Sequence, residues 1–406
     1  MTSRKSRRDF LWGTGAWVAA TAVMGQPAPT EAVLEKKPTH KPLLTRAPGA
    51  GIPPPAAGGS LLDVPPNVAR DLGTFAWRDA TDPSITDYSG LAYDAVGRRV
   101  CIFGGGHGPY QWTDIRAYDL TALQWSSLYP PTPRSEMTLA NGDSDFGRWR
   151  STNQPYARHS YNMSLVVGRR FYLMMQLGLP DYLDGPAPPW GGRICWYDFD
   201  ARTWNYSRNS SAQTPWYYAS AAALDPLSGN IVVVGPNQQG GSGNVWVYDP
   251  GADSIVAGSP IPDLGYAHDL VYFPLNDRFY ALQSDGRVWE IGFNRGNFNA
   301  TTINAVSTGG SPPPAGAACG YAFDSTNRIL GGNVVNGRFH AFDPFSRTWS
   351  AAMMQTLPGA VSAPSQVFHC LEFDAASGCF IFLSAPEART WAYRYSRGAI
   401  APARLR

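Results

Sequence analysis

The sequence predicts an all-β fold: a ring of about six small four-stranded sheets, a β-propeller, closed by one strand from the N-terminal side. Three observations predict it. An aromatic residue followed by Asp, with Trp seven positions after the aromatic, occurs as Tyr118-Asp119…Trp125, Tyr197-Asp198…Trp204 and Phe342-Asp343…Trp349. Each copy lies downstream of a segment that reads as a β-hairpin. The composition agrees: of 406 residues 42 are Gly and 35 Pro, aromatics reach 13% with 14 Trp and 20 Tyr, and charged residues are only 16%. That balance suits many short strands joined by turns, with aromatics wedged between sheets.

The hairpins run, in order, from Gly90 to Gly105, Asn162 to Met175, Ala221 to Gly235, Leu270 to Gln283, Gly320 to Gly332 and Leu371 to Ser384. Several turns carry Asp with small or polar residues, as in Asp94-Ala95-Val96-Gly97, Asp225-Pro226-Leu227-Ser228-Gly229 and Asp374-Ala375-Ala376-Ser377-Gly378. Asp bonds to the backbone ahead of it and Gly accepts positive φ. Weaker copies of the motif, Tyr248-Asp249…Ile255, Trp289-Glu290 and Arg389-Thr390-Trp391-Ala392-Tyr393, complete six units. A unit of about 40–50 residues is one blade; a further degenerate unit would make seven. Thr74-Phe75-Ala76-Trp77-Arg78 precedes the first hairpin and is the strand expected to close the ring against the C-terminal blade.

Blade one is the cleanest unit: Tyr93-Asp94…Val100-Cys101-Ile102-Phe103-Gly104-Gly105-Gly106…Tyr118-Asp119-Leu120…Trp125. It resembles a kelch repeat, and the whole resembles the propeller at the centre of galactose oxidase. The resemblance implies a glycine pair ending the second strand, and an aromatic and a Trp packed between blades. It covers about residues 73 to 396 as architecture. The oxidase's copper chemistry does not carry over, because no matching Tyr-His pair with a distant second ligand set is present.

The N-terminus reads Ser6-Arg7-Arg8-Asp9-Phe10-Leu11 followed by a weakly apolar stretch to Met24. This resembles a twin-arginine signal peptide over residues 1–25. The stretch is shorter than the ~20 residues of a spanning helix. Residues 26–66, rich in Pro, Ala and Gly, read as a disordered tether; residues 67–398 form the propeller and 399–406 a tail. The expected address is periplasmic or secreted, the partner during export is the twin-arginine translocase, and the mature form has no membrane span. A net charge of +2 excludes a nucleic-acid surface as an expectation. The five cysteines show no metal-ligand spacing and read as packing thiols.

In a propeller the starts of first strands and the ends of second strands meet at one mouth of the central channel. Four of the six histidines fall there. His159, His268 and His369 take matching starts in blades two, four and six, and His107 follows the glycines of blade one. The catalytic set expected here is His159, Tyr161, Arg158, His268 and His107. Tyr110, Trp112, Tyr156, Asn162, Tyr266, Asp269, His369, Trp149 and Trp190 are the expected substrate-binding residues, several of them on the long loops 129–157 and 177–193.

These residue types suit a carbohydrate, and in particular β-elimination from a uronate polysaccharide. His and Tyr share the base and acid roles, and Arg neutralises the carboxylate. Two alternatives stand beside it. One is a non-catalytic glycan- or protein-binding propeller. The other is an enzyme using a divalent metal held by His159, His268 and His369, since alternate blades of a six-bladed ring are ~120° apart. No motif dictates a cofactor. The chain has no nucleophile elbow and no phosphate-binding loop.

Overall fold

The computed structural model describes residues 60–74, 85–104, 113–174, 193–209, 215–216, 220–236, 242–262, 264, 268–314, 320–357, 364, 367–384 and 389–397. The chain divides into two units, Met1–Gly49 and Ala50–Arg406, and the first lies wholly outside the described residues. The segments expected as signal peptide, most of the expected tether and the expected tail lie outside the described residues as well.

Six sheets, each built on four antiparallel strands, form a six-bladed propeller, and in blades five and six a two-residue strand adds in parallel at the outer edge. Blade one is Leu91–Asp94, Arg99–Ile102, Arg116–Asp119 and Gln124–Ser127. Blade two is Ser164–Val167, Arg170–Leu173, Cys195–Asp198 and Thr203–Tyr206. Blade three is Ala221–Leu224, Ile231–Pro236, Gly243–Asp249 and Ser254–Ile261. Blade four is His268–Phe273, Arg278–Gln283, Val288–Gly292 and Thr302–Val306. Blade five is Tyr321–Asp324, Ile329–Val335, Arg338–Asp343 and Thr348–Met353. Blade six takes Leu371–Asp374, Cys379–Ser384 and Arg389–Tyr393 from the end of the chain.

Its fourth strand is Val68–Thr74, antiparallel to Arg389–Tyr393. The ring is therefore closed from the N-terminal side as expected, but by a strand about six residues earlier than Thr74 to Arg78. Arg389 Nη1 lies 2.8 Å from both carboxylate oxygens of Asp71 and pins this closure. Residues 75–78 are outside the described residues. Regular structure begins before position 66, where the tether is expected to end. Ser60 opens a short 3-10 turn, Leu61–Asp63, with a reciprocal capping box to Asp63, and Leu61 and Val64 are buried in the core between blades six and one.

The repeated motif is local hairpin chemistry. Its aromatic stands directly opposite its Trp across the third and fourth strands: Tyr118 on Trp125, Tyr197 on Trp204, Phe342 on Trp349. Their ring centroids are 5.3, 5.6 and 5.1 Å apart, within the range of attractive aromatic pairs. The Asp caps the turn between them. Asp119 Oδ1 accepts the N–H groups of Thr121 and Ala122, and Asp198 and Asp343 do the same one and two motifs on. In blade four the equivalent cap is Asn294, beyond the Trp289-Glu290 pair of the sequence.

Six apolar cores lie between successive blades. Cys101, Cys195, Cys370 and Cys379 are buried within the blades, and no disulfide forms among the described residues. Burial pushes the Cys101 thiol up to about 12 and that of Cys195 to about 11. No helix among the described residues is long and apolar enough to cross a membrane.

Candidate functional site

First strands begin, and second strands end, at one mouth of the channel, and the connections between blades cross the same face. The segment Arg158 to Asn162 is such a connection, entering blade two. Tyr161 sits at its turning point with φ +39°, a region that a bulky residue rarely adopts and that strains the backbone.

Tyr161 is the hub of the site. Its hydroxyl is 3.2 Å from His159 Nδ1. Its ring meets the His159 ring edge-on at 5.5 Å and the His369 ring edge-on at 5.2 Å. The next residue, Asn162, donates from Nδ2 to the carbonyl oxygen of His268 at 3.0 Å. His159, Tyr161, Asn162, His268 and His369, from blades two, four and six, are all buried around this point. The imidazole of His268 turns aside, with Nε2 3.2 Å from the Val234 carbonyl oxygen in blade three.

Strand register corrects the matching of the histidines. His268 pairs with Gln283. Counting back from Leu371↔Phe382, the same position in blade six is His369, and counting back from Ser164↔Leu173 it is Asn162 in blade two. His159 lies three residues upstream of it. Blades one and three place Ser89 and Ser220 there, both buried. A polar side chain thus stands at the inner mouth in every blade whose position is described; the sixth, Cys319, is outside the described residues.

The offset undoes the three-histidine metal centre. The ring of Tyr161 stands against both His159 and His369, and no group of three or more His, Cys, Asp or Glu close enough to hold a metal occurs among the described residues.

Arg158 is corrected too. Its side chain is fully buried and is aimed into the insertion before blade two, with Nε donating to the Tyr156 carbonyl (3.2 Å) and Nη2 to that of Gly147 (3.1 Å). Trp149 and Tyr156, expected to bind substrate, pack on each other at 4.7 Å and with Met137 form a small buried core inside that insertion. Burial pushes the Tyr156 phenol up to about 12. The insertion, which carries its own two-stranded ribbon Gly142–Asp143 and Arg148–Trp149, is a built element. His107, Tyr110, Trp112, Trp190 and Tyr266 lie outside the described residues.

Two further features are built from charged residues, and of their four members sequence reasoning named only Asp269, as a substrate-binding residue. Glu372, partly buried in the first strand of blade six, is pushed up to about 8, by burial first and then by the negative charge of Asp269. Asp269, in blade four, is pushed up to about 7 by burial, against two backbone N–H donors, Leu270 and Tyr321. Both carboxyls line the inner strands, where the Leu-Glu-Phe-Asp pattern of blade six reads as an ordinary alternating strand. The second feature is the buried pair Arg116 and Asp114 in blade one, 3.5 Å apart.

No protein-family model matches the sequence, and no curated protein matches it. Solved structures resemble it at low identity. An auxiliary nutrient binding protein from Bacteroides thetaiotaomicron shares 10% identity over 80% of this chain and 71% of its own, with a TM-score of 0.47. One from Bacteroides ovatus shares 10% over 76% and 69%, at 0.45. A gluconolactonase from Xanthomonas campestris shares 13% over 75% and 85%, at 0.44.

Proposed function

We propose that this protein is an exported, kelch-like propeller that binds a carbohydrate at the channel mouth and uses Tyr161 and His159 to move protons on it, the chemistry of β-elimination from a uronate. The observation that carries this reading is the phenol of Tyr161 held 3.2 Å from His159 Nδ1 on a strained backbone. An imidazole whose Nδ1 is unprotonated accepts the phenol proton and leaves an oxygen basic enough to take the C5 proton of the sugar. The C4–O bond then breaks, the C4–C5 double bond forms, and the pair returns a proton to the departing oxygen. His369, edge-on to the same phenol, completes its apolar and polar walls.

A second reading is favoured by Arg158. Its guanidinium is turned to backbone carbonyls of the insertion, so the cation assigned to the uronate carboxylate is withdrawn from that role. A site with Tyr, His and Asn but without that cation suits recognition alone. The test is incubation with a panel of uronate polysaccharides, following the absorbance of unsaturated products, together with binding isotherms for the same glycans. Elimination that disappears in Tyr161→Phe supports the first reading; binding without elimination supports the second. Neither binding nor elimination overturns both. Export is tested separately: Arg7→Lys with Arg8→Lys is expected to hold the protein in the cytoplasm, and periplasmic delivery of that variant would overturn the twin-arginine route.

A further inference from the structure

We infer that two glycines of blade one, Gly90 and Gly104, with Ser160 between them, form the seat that positions the Tyr161–His159 pair. This rests on the reading of that pair as the reactive centre, and the seat itself stands on backbone geometry. The segment Arg158 to Tyr161 belongs to blade two but lies across the inner end of blade one. A Cβ on Gly104 would stand 2.0 Å from the Arg158 carbonyl oxygen, and a Cβ on Gly90 would stand 2.0 Å from that of Tyr161. No side chain fits at either place. The same Cβ on Gly90 would meet the His369 carbonyl oxygen at 3.6 Å, so Gly90 is wedged between the two residues whose rings meet at 5.2 Å.

Ser160 stitches the seat together. Its hydroxyl donates to the Phe103 carbonyl at 3.0 Å and accepts the Gly90 N–H at 3.3 Å. Ser164 donates to the Gly90 carbonyl at 3.4 Å, and Ser89 bridges Tyr161 in parallel fashion. Each end of the segment is thus held by a glycine that lets its carbonyl approach, and its middle by a hydroxyl. This accounts for Tyr161 staying at φ +39°: the surroundings over-determine a conformation the residue would leave on its own. Gly90 and Ser160 are positioning residues, acting through Tyr161 rather than on a substrate.

The experiment compares the full chain with Gly90→Ala and Ser160→Ala, reading histidine ring signals by NMR across a pH titration, thermal unfolding, and glycan turnover. Gly90→Ala adds a carbon where none fits; Ser160→Ala removes two hydrogen bonds and adds nothing, so it serves if the first variant does not fold. The expected result is displaced titration of His159 and His369 in the variants, with His340 of blade five unmoved and any turnover falling at least tenfold. Unchanged signals of His159 and His369 in a folded variant overturn the seat. If those signals move but the parent protein turns over no glycan, the seat holds and the proposed activity fails.

Discussion

The backbone N–H of Tyr321, in the first strand of blade five, donates to Asp269 Oδ2, in the first strand of blade four, at 2.6 Å. The other oxygen of Asp269 accepts the N–H of Leu270 at 2.8 Å. One carboxyl therefore ties two blades together at the channel, and burial pushes it up to about 7 all the same. Glu372, raised to about 8, sits in the same inner layer.

Both groups bind protons more tightly in the folded state than in the unfolded chain, where carboxyls titrate near 4. The folded state then holds more protons between about pH 4 and 8, so stability falls as pH rises through that window. Urea unfolding at a series of pH values checks this. Asp269→Asn cannot accept both N–H groups, which costs about 1–3 kcal/mol at pH 5. The deficit is expected to shrink by pH 9, where the parent must hold a buried charge. A constant deficit across the series would refute the assignment.

On the opposite face Arg295 grips two carboxylates at once. It bonds Asp225 in blade three at 2.8 Å through Nε and Nη2, and Asp277 in blade four at 2.6 and 2.9 Å. Burial alone would raise Asp225, but hydrogen bonds from Arg295 and Ser228 outweigh it and the carboxyl lies below its ordinary value; Asp277 is lowered chiefly by Arg295. Lowered carboxyls contribute stability that is present above about pH 4 and lost as pH falls through the folded values. Arg295→Met leaves the buried Asp225 charge without its partner and is expected to cost about 3 kcal/mol at pH 7. The loss should fade below pH 3, as measured by denaturant unfolding. An equal loss at both pH values would mean that packing, not charge, is what Arg295 supplies.

These inter-blade contacts mark the limit of what the sequence disclosed. The six blades were legible because the aromatic, the Asp and the Trp act within one hairpin: the Asp caps the turn and the rings stand opposite each other. The matching of His268 with His369 was legible for the same reason, as both are counted from a hairpin of standard length. His159 was not, because residues 158–162 follow blade one rather than a strand of their own, which shifts the blade-two position to Asn162. The direction of Arg158 depends on carbonyls of an insertion that no local pattern reveals. The closing strand expected at Thr74 to Arg78 is instead Val68–Thr74, the segment that pairs with Arg389–Tyr393.

The insertion before blade two separates two uses of Trp149. As a stacking platform, Trp149→Ala would weaken ligand binding alone. Packed on Tyr156 and Met137, it should instead unfold the insertion locally, costing about 3–5 kcal/mol there. Amide hydrogen exchange reads the difference: protection is expected to fall across residues 137–156 while the blade strands keep theirs. Retained protection in that segment would restore Trp149 to a surface role.

Tyr161→Phe isolates the hydroxyl from everything else the residue does. The phenyl ring keeps the edge-on contacts with His159 and His369, and the strained backbone is unaltered. The hydrogen bond to His159 Nδ1 is lost, a change of about 1 kcal/mol in stability. If the pair transfers protons, loss of the phenol is expected to lower turnover at least 100-fold, the scale of a positioned acid or base, while glycan affinity changes little. A recognition site would behave in the opposite way: the hydroxyl would act as a ligand contact, and affinity would drop with no turnover to lose. The two outcomes are separated by measuring the dissociation constant and the rate on one glycan with the same two proteins, and unchanged values of both would remove Tyr161 from the site altogether.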